Sequence, residues 1–512
     1  MGNKTRRART PMNKSRSSRS RTVLGMSALG AIVGLATYLV ARSRRDGADS
    51  QPSLLPTSRS YRTAQLAGMG ARTGANLATM KARSVFASEE RKDELRAQFE
   101  LQSAEQVAEA LGNMRGAMMK LGQMASYLDQ GLPEPVRNAL AQLQSDAPPM
   151  SFDLARGVIE SELGKPLSEL FASIDEDPLA AASIGQVHRA VTLDGVEVAV
   201  KVQYPGVGEA VQADLANSDL LFQMMGMLFP GLDPKPLVNE LRDRVVEELD
   251  YGLEASNQQT FADAYRGHPY IHVPDVVKEL SSKRVLTTEL AQGSKWAEVI
   301  EWSQQERNLA AETLYRFAFG SIYQLHIFNG DPHPGNYLFR PGGQVTFLDF
   351  GLCKHFTEEE VKIFEEMIIA MVLDNDVARY IEIIKSIGIL PKDLEVDESA
   401  VREYFGHFYE FVFEDVEMEM TPEYASESIR RFFDLTSPHA ELMKSANLPP
   451  FMVIIQRINL GLFALFGELH ATGNWRRIAE ELWPFADGEP STPMGLEIDR
   501  WTKAKAAASA TD

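Results

Sequence analysis

Asp331, Asn336 and Asp349 are the residues of this 512-residue chain whose types and spacing best suit chemistry. Asp331 and Asn336 stand five apart in Gly330-Asp331-Pro332-His333-Pro334-Gly335-Asn336, and Asp349 opens Asp349-Phe350-Gly351 thirteen residues later. A carboxylate near an acceptor can take or orient its proton. An amide and a second carboxylate can hold the divalent ion that bridges nucleotide phosphates. Phosphoryl transfer needs little beyond such positioning and charge neutralisation. Asp-Pro and Pro-Gly alone mark turns. The two motifs in this order, separated by short apolar runs, have the spacing of a kinase catalytic loop and its magnesium-binding motif.

Other parts of such a site precede these. Lys201 closes Val198-Ala199-Val200-Lys201, the strand lysine pattern that meets nucleotide phosphates. Its carboxylate partner is expected on a following helix; Glu254 is the choice, and spacing alone equally permits Glu247 or Glu248. Leu286 to Ala291 is expected to be the hinge, with Glu289 and Ala291 offering backbone groups to adenine. One part is absent. Where G-x-G-x-x-G should let backbone N–H groups approach phosphates, the chain has Ala180-Ala181-Ala182-Ser183, whose methyl groups limit positive φ and close approach. No G-x-x-x-x-G-K-[ST] replaces it. Only five residues separate Gly351 from Thr357, which with Glu360 forms a capping-box pattern, so no long segment is left to cradle a peptide.

The elements that must position these residues are legible in outline. A helix is expected over Phe152 to Leu163. Strands are expected over Ala190–Leu193 and Val196–Val202, joined by a two-residue hairpin at Asp194-Gly195. Long helical segments over 208–262, a strand at Val285–Leu290, a helix from Gln305 to Ile327 and short strands at Tyr337–Phe339 and Val345–Leu348 follow. Beyond Glu358 the pattern is helical to about Phe485. Cys353, the only cysteine, excludes an intrachain disulfide and a cysteine-rich zinc site, and reads as a small buried packer.

The formal charge of −19 is unevenly spread. Residues 1–45 hold eleven Lys or Arg and no acids; the remaining 41 cationic and 71 acidic residues leave the rest at −30. Nucleic acid is therefore a poor partner. Residues 22–41 are uncharged and would span roughly 30 Å as a helix, enough to cross a bilayer. A cleaved signal peptide would have a shorter apolar run and an A-x-A site. Gly30-x-x-x-Gly34 offers a close-packing face for a homodimer. The N-terminal cationic flank favours keeping residues 1–21 in the cytoplasm, which sends the remainder away from ATP. The acid-free, Arg- and Ser-rich start also suits an organelle transit peptide.

With these residues in hand, the chain resembles the UbiB/AarF family of atypical kinases over roughly Ser103 to Phe485. The resemblance rests on Lys120-Leu121-Gly122-Gln123, on Ala180 to Ser183 followed by Ile184-Gly185-Gln186-Val187, on Glu248-Leu249-Asp250, and on the Asp331 loop with Asp349-Phe350-Gly351. It implies an α+β, protein-kinase-like two-lobe fold, here with an N-terminal helical extension and a single N-terminal transmembrane helix. The corresponding division is a basic segment at 1–21, a span at 22–41 and a linker at 42–87. A helical extension follows at 88–170, then an N-lobe at 171–292, a C-lobe at 293–485 and a tail at 486–512. It also implies ATP and Mg2+ as cofactors, Glu254 paired to Lys201, Asp331 catalytic, Asn336 and Asp349 on the metal, and Lys120 packed over the site toward Glu248 and Asp250. The expected function is a membrane-anchored atypical kinase or ATPase, single-pass in a bacterial cell membrane or organelle inner membrane. It would act with membrane lipid or an isoprenoid quinone precursor and support quinone production. The alternative is a small-molecule or protein kinase transferring the γ-phosphate. The catalytic loop opens Asn329-Gly330-Asp331 rather than His-Arg-Asp, which bears on the general-base role of Asp331.

Overall fold

The computed structural model describes residues 150–182, 184–209, 247–433 and 449–509, with isolated positions between 434 and 448. The expected transmembrane helix, Gly30 and Gly34, Lys120 and Ser183 lie outside the described residues. Among those described, no helix is long and apolar enough to cross a membrane.

Helix α1 (Phe152–Leu163) ends where Gly164, in the left-handed region, returns its N–H to the carbonyl of Glu160. The short helix α2 (Leu167–Leu170) leads into an antiparallel sheet. Its strands are β1 (Phe171–Ile174), β2 (Ala180–Ala182), β3 (Gly185–Thr192) and β4 (Glu197–Gln203). β1 and β2 lie end to end along one edge of β3, and β4 lies along the other. The β3–β4 turn is longer than expected. Thr192 N–H bonds the carbonyl of Val196, and Gly195, at φ 88°, returns its N–H to Thr192, which makes a three-residue loop. Side-chain alternation in β4 turns Val198, Val200 and Val202 onto Ala155, Val158 and Ile159 of α1. Lys201 takes the opposite face. Helix α1 is thus the cover of the small lobe's sheet, and Gln186 fastens its entry by exchanging hydrogen bonds with the backbone of Met150.

Helix α3 (Tyr251–Ala264) is capped by the Asp250 carboxylate, which accepts from the N–H of Gly252. Strand β5 (Ile271–His272) follows, and β6 (Val285–Glu289) completes the first sheet beside β4. The chain then crosses to a helical lobe through α4 (Trp296–Val299) and α5 (Gln304–Leu325). α5 buries Ala310, Ala311, Leu314, Phe317, Ala318 and Ile322 in the main core. Strands β7 (Ile327–Asn329), β8 (Tyr337–Arg340), β9 (Gln344–Phe347) and β10 (Cys353–His355) form two small sheets on it, β10 with β7 and β8 with β9 and β5. The Thr357–Glu360 capping box is present and starts α6 (Glu358–Ile368).

The rest is mainly helical, as expected, with two additions. One is a π-helical turn over Ile369–Leu373, and the other is a short pair of strands joining Met418–Glu419 to Thr472–Gly473. The segment after 486 is more than a tail, because Pro493–Ser509 forms a helix. Its Lys505 Nζ donates to the carbonyls of Asp263 and Ala264 at the end of α3, and its Trp501 ring meets His268 edge-on. A buried ionic cluster holds its approach. Arg316 Nη2 lies 2.7 Å from Glu312 Oε1 and 2.5 Å from Glu481 Oε2, and Glu481 accepts the N–H groups of Ser491 and Thr492.

Candidate active site

The two lobes bring Lys201, Glu254 and Asp349 together. Lys201 Nζ reaches Glu254 Oε1 at 2.7 Å and Oε2 at 3.0 Å, and Asp349 Oδ2 at 3.3 Å. Its Nζ also sits 5.0 Å from the centre of the Tyr251 ring. This selects Glu254 from the three glutamates that spacing allowed. Glu254 is 2% exposed, and burial pushes its carboxyl up to about 7 although Lys201 pulls the other way. Burial works against the Lys201 charge as well, but Asp349 and Glu254 outweigh it and hold the ammonium well above its ordinary value. One cation therefore faces two carboxyl groups, of which Glu254 is the one that burial inclines to keep its proton.

Asp331 and Asn336 hang from the link between β7 and β8. The Asn336 side-chain N–H donates to the Asp331 carbonyl at 3.2 Å, which leaves the amide oxygen turned away from that bond. Asp331 is buried. The Asn329 side chain donates to the Asp349 carbonyl at 2.7 Å and accepts from the N–H of Asp331 at 3.3 Å. The departure at Asn329 thus has a physical role, since one side chain ties the Asp331 loop to the loop that follows. Gly330 N–H adds a backbone tie to Leu352. Within the second loop, Gly351 N–H donates to Asp349 Oδ1 at 3.0 Å, which leaves Oδ2 toward Lys201.

The donor set suits a magnesium nucleotide. One carboxylate, one amide oxygen and a nearby lysine make an incomplete cage, as expected where phosphates and water supply the remaining ligands. Among the described residues no three His, Cys, Asp or Glu side chains gather as a ready-made metal cluster. Asn336 and Asp349 are the residues that would hold the ion, and Lys201 would meet the phosphates.

Two expectations change. Ala180 to Ala182 are a paired strand rather than a loop, opposite Val187, Gln186 and Gly185. β3 supplies an edge whose hydrogen bonds outweigh the weak strand preference of alanine. Ala180 and Ala181 are exposed, so their methyl groups are open to a ligand. Gly185 turns beneath them because any Cβ there would fall 2.2 Å from the carbonyl oxygen of Val202. The hinge also starts later than expected, since Leu286 to Glu289 belong to β6. The N–H groups of Glu289 and Leu290 are taken by Asp275 and Glu197, while that of Ala291 has no partner among the described residues. Glu248 is buried and Asp250 caps α3, at the end of the helix that carries Glu254. Cys353 is buried, as expected, with its thiol 3.4 Å from the Phe350 carbonyl.

Sequence reasoning missed Tyr251, Asn257 and Asn329. Tyr251 is fully buried under Gly185, and its hydroxyl finds no partner among the described residues. Asn257 is 5% exposed, donates to the Phe350 carbonyl at 3.2 Å and meets His355 Nε2 at 3.1 Å. Asn257 carries a signal in hindsight, because asparagine is a poor residue for a helix interior and a buried amide needs partners.

The ABC1 atypical kinase-like domain matches residues 142–384. The rat protein named atypical kinase COQ8B, mitochondrial, is 34% identical over 319 residues, 62% of this chain and 57% of that protein. The mouse AarF domain-containing protein kinase 1 is 37% identical over 274 residues, 52% of each chain. The chain spans about half the length of the curated relatives it matches. A solved structure of Rv3197 in complex with erythromycin, from Mycobacterium tuberculosis, is 32% identical with a TM-score of 0.56, over 78% of this chain and all of that one.

Proposed function

The chain belongs to the ABC1 atypical kinase-like family, and we propose that it binds Mg-ATP and hydrolyses it at a membrane in support of isoprenoid quinone or related lipid metabolism. The observation that carries the nucleotide part is the assembled Lys201–Glu254–Asp349 contact, with Asp331 and Asn336 on the adjoining loop. In this reading Lys201 orients the phosphates and Glu254 holds it in place. Asn336 and Asp349 hold the magnesium, which neutralises phosphate charge when bound. Asp331 orients the attacking water. Ala180 to Ser183 cover the phosphates, and the hinge backbone from Glu289 to Ala291 receives adenine. Lys120, from the helical extension, would lie over this cleft toward Glu248 and Asp250.

The membrane part rests on residues 22–41 and the basic flank before them, in a bacterial cell membrane or an organelle inner membrane. Relatives named mitochondrial and chloroplastic support an organelle-type setting, and the COQ8B name supports the quinone connection. The short connection from Gly351 to Thr357 favours water or a small acceptor over a docked peptide. It also keeps a second reading in view, a small-molecule kinase, for which the erythromycin complex of the M. tuberculosis protein suggests a macrolide as one acceptor to test.

The test is ATP turnover and γ-phosphate transfer measured side by side, with and without liposomes. Slow hydrolysis raised by lipid and altered by Lys120→Ala is expected. Rapid transfer to peptides or to a macrolide, indifferent to lipid and to Lys120, would overturn the ATPase reading. Carbonate extraction tests the anchor: the full chain should stay with membranes, and a chain starting at Ala71 should be largely released.

A further inference from the structure

We propose that Asn257 is a positioning residue that sets the metal-facing orientation of Asp349 from the helix that carries Glu254; this rests on the nucleotide reading above. Glu254 and Asn257 are three apart on α3, so they share one face of it. Glu254 reaches forward to Lys201, and Asn257 reaches the loop after Asp349. Its Nδ2 donates to the Phe350 carbonyl at 3.2 Å. That carbonyl belongs to the same planar peptide as the N–H of Gly351, and in a trans peptide the two point in opposite directions. The Gly351 N–H in turn donates to Asp349 Oδ1 at 3.0 Å. One peptide plane is therefore gripped between the Asn257 amide and the Asp349 carboxylate. Turning that plane would release Oδ1 and let the carboxylate rotate away from Lys201 and the metal position.

The amide cannot be drawn the other way round. Reversed, Asn257 would set its oxygen against the Phe350 oxygen, two acceptors facing each other. In the orientation observed, Asn257 Oδ1 accepts from His355 Nε2 at 3.1 Å, so that nitrogen carries its proton. His355 is exposed on β10 and steadies the amide from outside. The other donor to the Phe350 carbonyl is the Cys353 thiol at 3.4 Å, a weak one, so Asn257 is the principal restraint. Fully buried Phe350 also packs on Phe261, one turn further along α3, with ring centres 5.0 Å apart. The helix therefore touches the loop through a polar and an apolar contact, and only the polar one bears on the peptide plane.

The test uses the full chain, ATP and Mg2+ titrated from an EDTA baseline, and reads the Mg2+ midpoint of the nucleotide-dependent thermal shift. Residues that orient a metal ligand typically cost roughly 10–100-fold in metal affinity when removed. Asn257→Ala should raise the midpoint by about tenfold or more, and Asn257→Asp, which replaces the donor by an acceptor, at least as much. His355→Ala, at an exposed position that spares the fold, should move it severalfold in the same direction. Thr260→Ala, on the exposed side of α3, should leave it unchanged. A fall in melting temperature with an unmoved midpoint would reduce Asn257 to a packing residue and overturn the inference, as would unmoved midpoints in all three variants. A wild type that shows no magnesium-dependent shift would overturn the nucleotide reading itself.

Discussion

Replacing Glu254 by Gln should change how stability depends on pH in a way that can be worked out from the structure. Glu254 is 2% exposed, and its carboxyl is pushed from an ordinary 4.5 up to about 7 by burial, against the pull of Lys201. The native state therefore holds this proton more tightly than the unfolded chain does. The stabilisation that follows is fully present below 4.5 and is lost as the pH rises through about 7. The gap corresponds to about 3 kcal/mol. Glutamine has the shape of the protonated acid at every pH, so it lacks this slope. Lys201 does not confuse the window, because its own charge is held well above 10.5. Thermal melts of wild type and Glu254→Gln at pH 5, 6, 7 and 8 should therefore diverge. The wild type should lose on the order of 2–4 °C relative to the variant across the range, and most of the change should fall before pH 7.5. Titrations shared by both chains cancel in the difference. Parallel profiles would refute the reasoning, because they would mean that Glu254 is as ionisable in the fold as in water.

Asp349→Asn should abolish the magnesium-dependent part of the ATP-induced thermal shift, since it withdraws charge from an ion with few protein ligands; a shift of wild-type size would remove Asp349 from the metal. Arg316→Met should cost about 3–5 kcal/mol by leaving Glu312 and Glu481 buried without their cation. The loss should be read as a drop in melting temperature and largely regained when Glu312 and Glu481 are also replaced by glutamine, which removes their charge and keeps an acceptor for Ser491 and Thr492; an unchanged melting temperature would disprove the cluster's role. Ala181→Gly should alter the ATP-to-ADP preference through the exposed strand beside Gly185, measured by titrating each nucleotide. Equal preference before and after would show that this strand does not read phosphates.

The parts of this fold that were legible in the sequence are those whose signals are local. Alternating valines marked β4, and Thr357 with Glu360 marked the start of α6. The expected helix at Phe152–Leu163 has the observed bounds. Where local preference and environment disagree, reading failed. Three alanines in a row do not look like a strand, and only the edge of β3 makes them one. The segment after 486 is expected to be a tail, yet its Lys-Ala-rich end is a good helix former and is tied down by Trp501 and Lys505 at residues more than two hundred positions earlier. Nothing in a linear pattern reports a contact of that separation.

The site divides in the same way, and the division says something about how it works. The residues legible from spacing, Lys201, Asp331, Asn336 and Asp349, are those that would touch nucleotide or metal, and they were legible because their types and intervals form a motif. The residues that were missed act on the first group rather than on a ligand. Asn329 holds the Asp349 carbonyl, and Asn257 holds the next carbonyl along. Two successive backbone oxygens are thus gripped from opposite lobes, one from β7 and one from α3. A movement of α3 away from β4 and the helical lobe must then strain the Lys201–Glu254 contact and the Asn257 bond together. Both contacts sit on one rigid helix, so they should form and break together. Completion of the lysine pair and correct aim of Asp349 become a single event, set by where α3 lies. Its C-terminal end is held by Lys505, whose Nζ donates to the carbonyls of Asp263 and Ala264.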